Sequence, residues 1–98
     1  MDIIYKNKKI EKVCTNAKIA DKTYGNEMAV KIHMRIDQIR AADTVEMMVQ
    51  SHIGRCHQLN NDRKGQYAMD LVHPYRLVFE KQGEEIQIVR IMEIVDYH

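Results

Sequence analysis

The sequence has no Trp, a single Phe and a single Pro. Lacking large aromatics, it must build its core from Ile, Val, Met, Ala and Tyr, with its seven Met as adaptable filler. Gly is scarce too, and Gly25, Gly54, Gly65 and Gly83 stand at breaks in the pattern. Only Cys14 and Cys56 carry thiols. They lack the paired spacing of a structural zinc site, and no secretory leader precedes them, because the chain opens on Met1-Asp2-Ile3-Ile4-Tyr5 and turns basic. That points to a reduced, cytoplasmic setting. No apolar run approaches the ~20 residues of a membrane span. The net charge of +1 names no partner. Repeats and low-complexity segments are absent.

The 98 residues, read as one domain over 1–98, are enough for one core. Charge is unevenly placed. Lys6, Lys8, Lys9, Lys12, Lys18 and Lys22 crowd the first quarter, Arg55, Arg63 and Lys64 flank one turn, and Glu80, Glu84 and Glu85 gather later. Basic patches of this kind hold phosphates, so Arg55, Arg63 and Lys64 are candidates for binding the phosphates of a nucleic acid. For the N-terminal lysines, a solvated helix face explains the pattern equally well.

Residues 3–5 form a short strand at or near a sheet edge. Asn7 caps a helix with Ile10, Val13, Cys14, Ala17 and Ala20 on one stripe. Asn26 caps a second, burying Met28, Ala29, Ile32, Ile36 and Ile39 and leaving Lys31, Arg35 and Gln38 outside. Asp43 or Thr44 opens a short third helix, with Glu46 placed for a capping box from Asp43. From Arg55 the period becomes two. Residues 55–59 and 66–72 read as strands about a turn at 60–65, with Tyr67, Met69 and Leu71 on one face and Ala68 and Asp70 on the other. His73-Pro74 interrupts. Residues 75–81 follow, with Tyr75, Leu77 and Phe79 inward and Arg76, Val78 and Glu80 outward. The last strand, 86–98, is apolar on both faces and belongs inside the sheet. Helices followed by hairpin-linked strands predict an α+β fold, the N-terminal strand and helices packed on one face of a twisted antiparallel sheet.

The other face is expected to carry chemistry. Arg76 points away from the apolar set of its strand. His57 precedes the basic turn, and the apolar last strand ends on Asp96, Tyr97 and His98, with Asp96 and His98 sharing a face. Two imidazoles, a guanidinium and a basic turn suit metal-free cleavage of RNA. One group removes the 2′-OH proton so that this oxygen attacks its own phosphate, and another protonates the leaving 5′-oxygen. Arg76 forks onto the phosphate and favours the added transition-state charge. Asp96 orients an imidazole, and Tyr97 stacks on a base or bonds to the ribose. Each residue also fits a plainer role: His57 as a half-buried strand residue bonded to backbone, Arg76 paired with Glu80 or Glu93, His98 as a loose end. Cys56, His57, Asp96 and His98 are zinc-binding types but lack paired local spacing.

Residues 55–67, Arg-Cys-His-Gln-Leu-Asn-Asn-Asp-Arg-Lys-Gly-Gln-Tyr, then Tyr75-Arg76-Leu77-Val78-Phe79, then Asp96-Tyr97-His98, resemble the HigB-type toxins of the RelE/ParE superfamily. That family reads His-Pro-Leu-Lys-Gly-Asp-x-x-Gly-x-Trp, then Trp-Arg-Ile-x-Phe, and closes on Asp-Tyr-His. The likeness covers the C-terminal half, in order and spacing. It implies a RelE/ParE-like fold and a toxin of a type II toxin–antitoxin pair, one that enters the ribosomal A site, cuts mRNA there without a cofactor and inhibits translation. It assigns the cleavage roles to His57, Arg76, Asp96, Tyr97 and His98. It also implies a HigA-type helix-turn-helix antitoxin, through which alone the toxin meets operator DNA. Departures are Gln58 for Pro, Asn60-Asn61 for Lys-Gly, and Tyr67 and Tyr75 for Trp. Losing that lysine removes one phosphate contact. Two other activities stand beside this one: an antitoxin-binding co-repressor module with weak catalysis, and a gyrase-inhibiting ParE-like toxin. Toxins of the second kind generally lack both histidines.

Overall fold

The computed structural model describes residues 1–60 and 65–96. The expected turn residues Arg63 and Lys64 and the terminal Tyr97 and His98 lie outside them. Strand β1 (Asp2–Tyr5) leads into helices α1 (Lys8–Thr15), α2 (Ala17–Tyr24), α3 (Asn26–Ala41) and α4 (Val45–Gln50). A 3-10 turn (Ile53–Arg55) then feeds β2 (His57–Gln58), β3 (Gln66–Asp70), β4 (Tyr75–Gln82) and β5 (Ile88–Asp96).

Where one stripe predicts one helix over residues 8–20, two form. Asn7 Oδ1 accepts from Ile10 N at 3.0 Å and starts α1, and Asn16 Oδ1 accepts from Lys18 N and Ile19 N at 3.0 and 3.2 Å and starts α2. An Asn side chain that bonds nearby backbone favours a cap over a helix interior, so the stripe runs on while the helix does not. Asn26 is the first residue of α3, whose N-cap is Gly25 at φ 90°, without a side-chain bond. At α4 it is Thr44 that caps, its Oγ1 accepting from Met47 N at 3.1 Å. Glu46 makes no capping box with Asp43. Its carboxylate accepts from Gln87 Nε2 and Lys81 Nζ, both at 2.7 Å. Gln87 is buried, and its Oε1 accepts from Val45 N at 2.8 Å. These bonds hold α4 to the start of β5.

The five strands lie in the order β1-β5-β4-β3-β2. β2 through β5 pair antiparallel, as expected, but β1 joins the edge beside β5 in parallel, so the sheet is mixed. β5 is therefore an inner strand. The core lies between helices and sheet, with Ile10, Val13, Met28, Ile32, Ile36 and Ile39 meeting Met69, Leu77, Phe79, Val89 and Ile91. The fold is α+β, with the helices on one face.

Several strand boundaries differ from expectation, β3 ending at Asp70 and not at Val72. β2 covers only two residues, because the backbone before it turns left-handed at His52, Gly54 and Arg55 (φ 56°, 56° and 54°). β5 begins at Ile88 and not at Ile86, whose side chain is 86% exposed. A bulge in β5 explains its two-sided apolar pattern. Phe79 pairs with Ile91 and Val78 with Glu93, leaving Met92 as an extra residue. Val89 and Ile91 before the bulge, and Ile94 after it, consequently face the same core despite opposite parity.

Candidate functional site

Cross-strand register shows which side chains share the face away from the helices. His57 pairs with Ala68 and Ala68 with Val78, while Asp70 pairs with Arg76. Tyr67, Met69, Leu77 and Phe79 occupy the alternate positions and sit in the core. Because side chains alternate along a strand, His57, Asp70 and Arg76 emerge together on the face turned from the helices, where Ala68 and Val78 between them are fully buried. The register thus puts His57 and Arg76 on one face of the sheet.

Asp96 departs from the face expected of it. It pairs with Tyr75, and Val95 pairs with Arg76. Tyr75 packs toward the core, its ring meeting that of Tyr24 edge-on at 5.6 Å. The exposed Asp96 therefore lies at the end of β5 in phase with the helix-covered face. The cause is the bulge, since one extra residue moves every later side chain to the other face. Asp96 still adjoins the uncovered face at its edge, beside the Tyr75–Arg76 end of β4.

His57 is half-buried, and its Nδ1 lies 2.8 Å from the carbonyl oxygen of Arg55. A carbonyl only accepts, so this bond needs the proton on Nδ1. In the neutral ring, Nε2 then carries the lone pair and is the atom able to take up a proton. Cys56, the neighbouring residue, turns the opposite way. It is 3% exposed within the core, and burial pushes its thiol up to about 12. Cys56 and His57 thus face opposite sides of the sheet and form no joint zinc site. Among the described residues no three His, Cys, Asp or Glu gather as metal ligands.

Arg76 pairs with Asp70. Asp70 Oδ1 lies 3.3 Å from Arg76 Nε, and Oδ2 lies 3.4 Å from Arg55 Nε. A third arginine completes the group. Arg35, expected on the outer face of α3, donates from Nε to the Asp70 carbonyl at 2.7 Å and from Nη1 to Gln38 Oε1 at 2.9 Å. Burial lowers the pKa of Arg35, against the pull of Asp70. Its path is open only because residue 54 is Gly, where an added Cβ would stand 2.7 Å from Arg35 Nε. Sequence reasoning passed over both Asp70 and Arg35. The signal for Asp70 is its distance from the break, since Asp70 and Arg76 stand three residues either side of His73.

The result is a cluster of three guanidinium groups about one aspartate, at the end of the sheet where β3 finishes, β4 begins and β5 ends. His57 opens β2 on the same face. Such a surface can bind an anion through guanidinium groups and exchange a proton through an imidazole. Among the described residues no helix is long and apolar enough to cross a membrane.

No protein-family model matches the chain, and no curated protein matches it. Solved structures do share its fold. A YoeB/ParE toxin from Agrobacterium tumefaciens is 14% identical, aligns over 100% of both chains and superposes with a TM-score of 0.68. The YoeB dimer from Staphylococcus aureus is 20% identical over 100% of this chain and 97% of the other, with a TM-score of 0.63. At these identities the likeness is one of fold.

Proposed function

We propose that this chain is a toxin of a type II toxin–antitoxin pair, of the HigB type, that cuts mRNA in the ribosomal A site and so inhibits translation. The observation that carries this reading is the common face of His57 and Arg76, with a proton-accepting Nε2 on the first and a guanidinium on the second. Two further facts support it. The fold is shared by a YoeB/ParE toxin and a YoeB dimer, and residues 96–98 read Asp-Tyr-His, the third motif of the resembled family.

The chemistry is a transesterification. His57 and His98 share the base and acid roles. One takes the proton of the 2′-OH, the oxygen attacks the adjacent phosphorus, and the P–O5′ bond breaks. The other ring gives its proton to the departing 5′-oxygen. The products are a 2′,3′-cyclic phosphate and a 5′-OH. Arg76 offsets the charge that builds on the phosphoryl oxygens. Asp96, two residues before His98, orients that imidazole from the strand end, and Tyr97 positions the nucleotide. Arg63 and Lys64 hold flanking phosphates of mRNA or ribosomal RNA, and Arg55 adds its charge to the same RNA-binding surface. A HigA-type helix-turn-helix antitoxin in the cytoplasm restrains the activity and links it to operator DNA.

The test is induction in a bacterial host with transcript ends mapped genome-wide. Cuts within translated codons, lost in His57→Ala together with growth arrest, are the expected result. Arrest with DNA damage and intact transcripts would instead assign the gyrase activity. Intact transcripts with normal growth would leave only an antitoxin-binding module.

A further inference from the structure

One group on the uncovered face has no part in that chemistry. Asp70 is a carboxylate placed where an anion-binding site needs cations. Its side chain is 25% exposed, and it reaches two guanidinium groups from different elements, Arg76 on β4 and Arg55 before β2. Both approaches are through Nε, the inner edge of the guanidinium group. The contacts at 3.3 and 3.4 Å are ion pairs, and the buried Asp70 Oδ1 accepts no hydrogen bond, so the carboxylate draws the two groups together by charge. Arg55 is 79% exposed and held at φ 54°, a backbone conformation costly for a side-chain-bearing residue. An exposed arginine on a strained backbone gains little stability from one ion pair at 3.4 Å, since surface pairs are worth roughly 0–1 kcal/mol. The carbonyl of Asp70 is separately held by Arg35, which the Gly54 gap admits. Asp70 is thus anchored from α3 and yoked to two arginines that sequence reasoning assigns separately, one to binding and one to cleavage.

We propose that Asp70 is a positioning residue that joins Arg55 and Arg76 into a single clamp for one RNA phosphodiester. This rests on the function proposed above but is tested apart from it. Two cations aligned on one phosphate act together, so removing either disables much of the other's contribution. Two cations that merely lie on one surface contribute independently. Asp70 also removes one positive charge from the region, so its role is visible as a split. Without it, non-specific attraction to RNA rises while alignment falls.

The experiment uses the full chain and a short 2′-O-methyl RNA, whose blocked 2′ position prevents cleavage. Affinity is measured for Arg55→Ala, Arg76→Gln and the pair, in the native and Asp70→Asn backgrounds, with thermal melting recorded for each. In the native background the double variant is expected to lose clearly less than the product of the two single losses. In the Asp70→Asn background the losses multiply, and affinity at low salt rises by about the amount one added cation gives. Asp70→Glu, which keeps the charge, restores part of the coupling. In a cleavage assay on programmed ribosomes, Asp70→Asn lowers the maximal rate about tenfold or more without raising KM. Multiplying losses in the native background, undiminished coupling without Asp70, or no binding of the oligonucleotide overturns the clamp. Losses in Asp70→Asn that track melting temperature alone do the same. If the native protein cuts no mRNA, the proposed function falls, while the binding cycle still decides the clamp.

Discussion

Asp70 and Arg76 face each other directly across β3 and β4, with Oδ1 and Nε 3.3 Å apart. Opposite charges at paired strand positions contribute roughly 0.2–1 kcal/mol, so the pair is a modest element of stability. Its larger effect is to bias Arg76 toward Asp70 by charge, since the buried Oδ1 accepts no hydrogen bond. Arg76→Ala is expected to lower maximal mRNA cleavage by about 10²-fold or more, the loss typical of one transition-state donor. Arg76→Lys recovers only part, since an ammonium cannot fork. Single-turnover cleavage on programmed ribosomes checks this, and full activity in Arg76→Lys would show that a point charge suffices.

The bond between His57 Nδ1 and the Arg55 carbonyl, 2.8 Å long, makes a tautomer prediction. In the neutral ring the proton sits on Nδ1, leaving Nε2 for chemistry. Nitrogen-15 NMR of selectively labelled protein distinguishes the two tautomers by the shifts of the ring nitrogens. His57→Ala is expected to lower cleavage by about 10²–10⁴-fold, the range for a positioned acid or base. A ring protonated on Nε2 would mean that it has turned away from Arg55, and the role given to Nε2 would go with it.

Much of this arrangement is legible in the sequence, because strands write their faces in alternate letters. Tyr67, Met69, Leu77 and Phe79 announce the core, and the letters between them announce the uncovered face that His57 and Arg76 share. Alternation alone puts Asp96 on the wrong face because a bulge leaves no mark in composition. Met92 looks like any strand residue, yet as the extra one it moves Asp96 into phase with Tyr75. The break at Asn16 is hidden for a related reason. The apolar stripe from Ile10 to Ala20 runs past it undisturbed, and its side-chain bonds to Lys18 N and Ile19 N start a new helix. Arg35 escaped notice because its contact with Asp70 spans 35 residues and depends on Gly54 being small. Long-range contacts of this kind have no local pattern.

Gly54 yields a stability prediction. At φ 56° it occupies the left-handed region, where any other L-residue costs roughly 1–2 kcal/mol. A Cβ there would also press on Arg35, 2.7 Å from Nε and 2.9 Å from Cζ. Gly54→Ala should therefore destabilise by more than the backbone term alone. The melting temperature is expected to fall by at least about 5–10 °C for a domain of this size. Arg35→Ala removes the obstacle, so the double variant should melt higher than the two single losses added together. Strict additivity would show that Arg35 does not lie against residue 54.

Glu46 supplies a pH dependence whose sign follows from its partners. Hydrogen bonds from the Gln87 amide and the Lys81 ammonium hold its carboxyl down at about 2, against an ordinary 4.5. The Lys81 ammonium is correspondingly raised, chiefly by its bond to Glu46. The folded state thus binds this proton less readily than the unfolded chain does. The stability Glu46 contributes is complete above about pH 5, and it drains away as the pH falls through about 2. The side chain is 55% exposed, so water and salt screen the interaction and hold it to the scale of a surface pair, about 1 kcal/mol or less. Urea unfolding of the native chain and of Glu46→Gln, followed from neutral to acid pH, measures it. The gap between the two should be largest near neutrality and close as the pH approaches about 2, while added salt narrows it throughout. A gap unchanged across that range would mean that Glu46 ties α4 to β5 through its shape and neutral hydrogen bonding, with its charge contributing nothing.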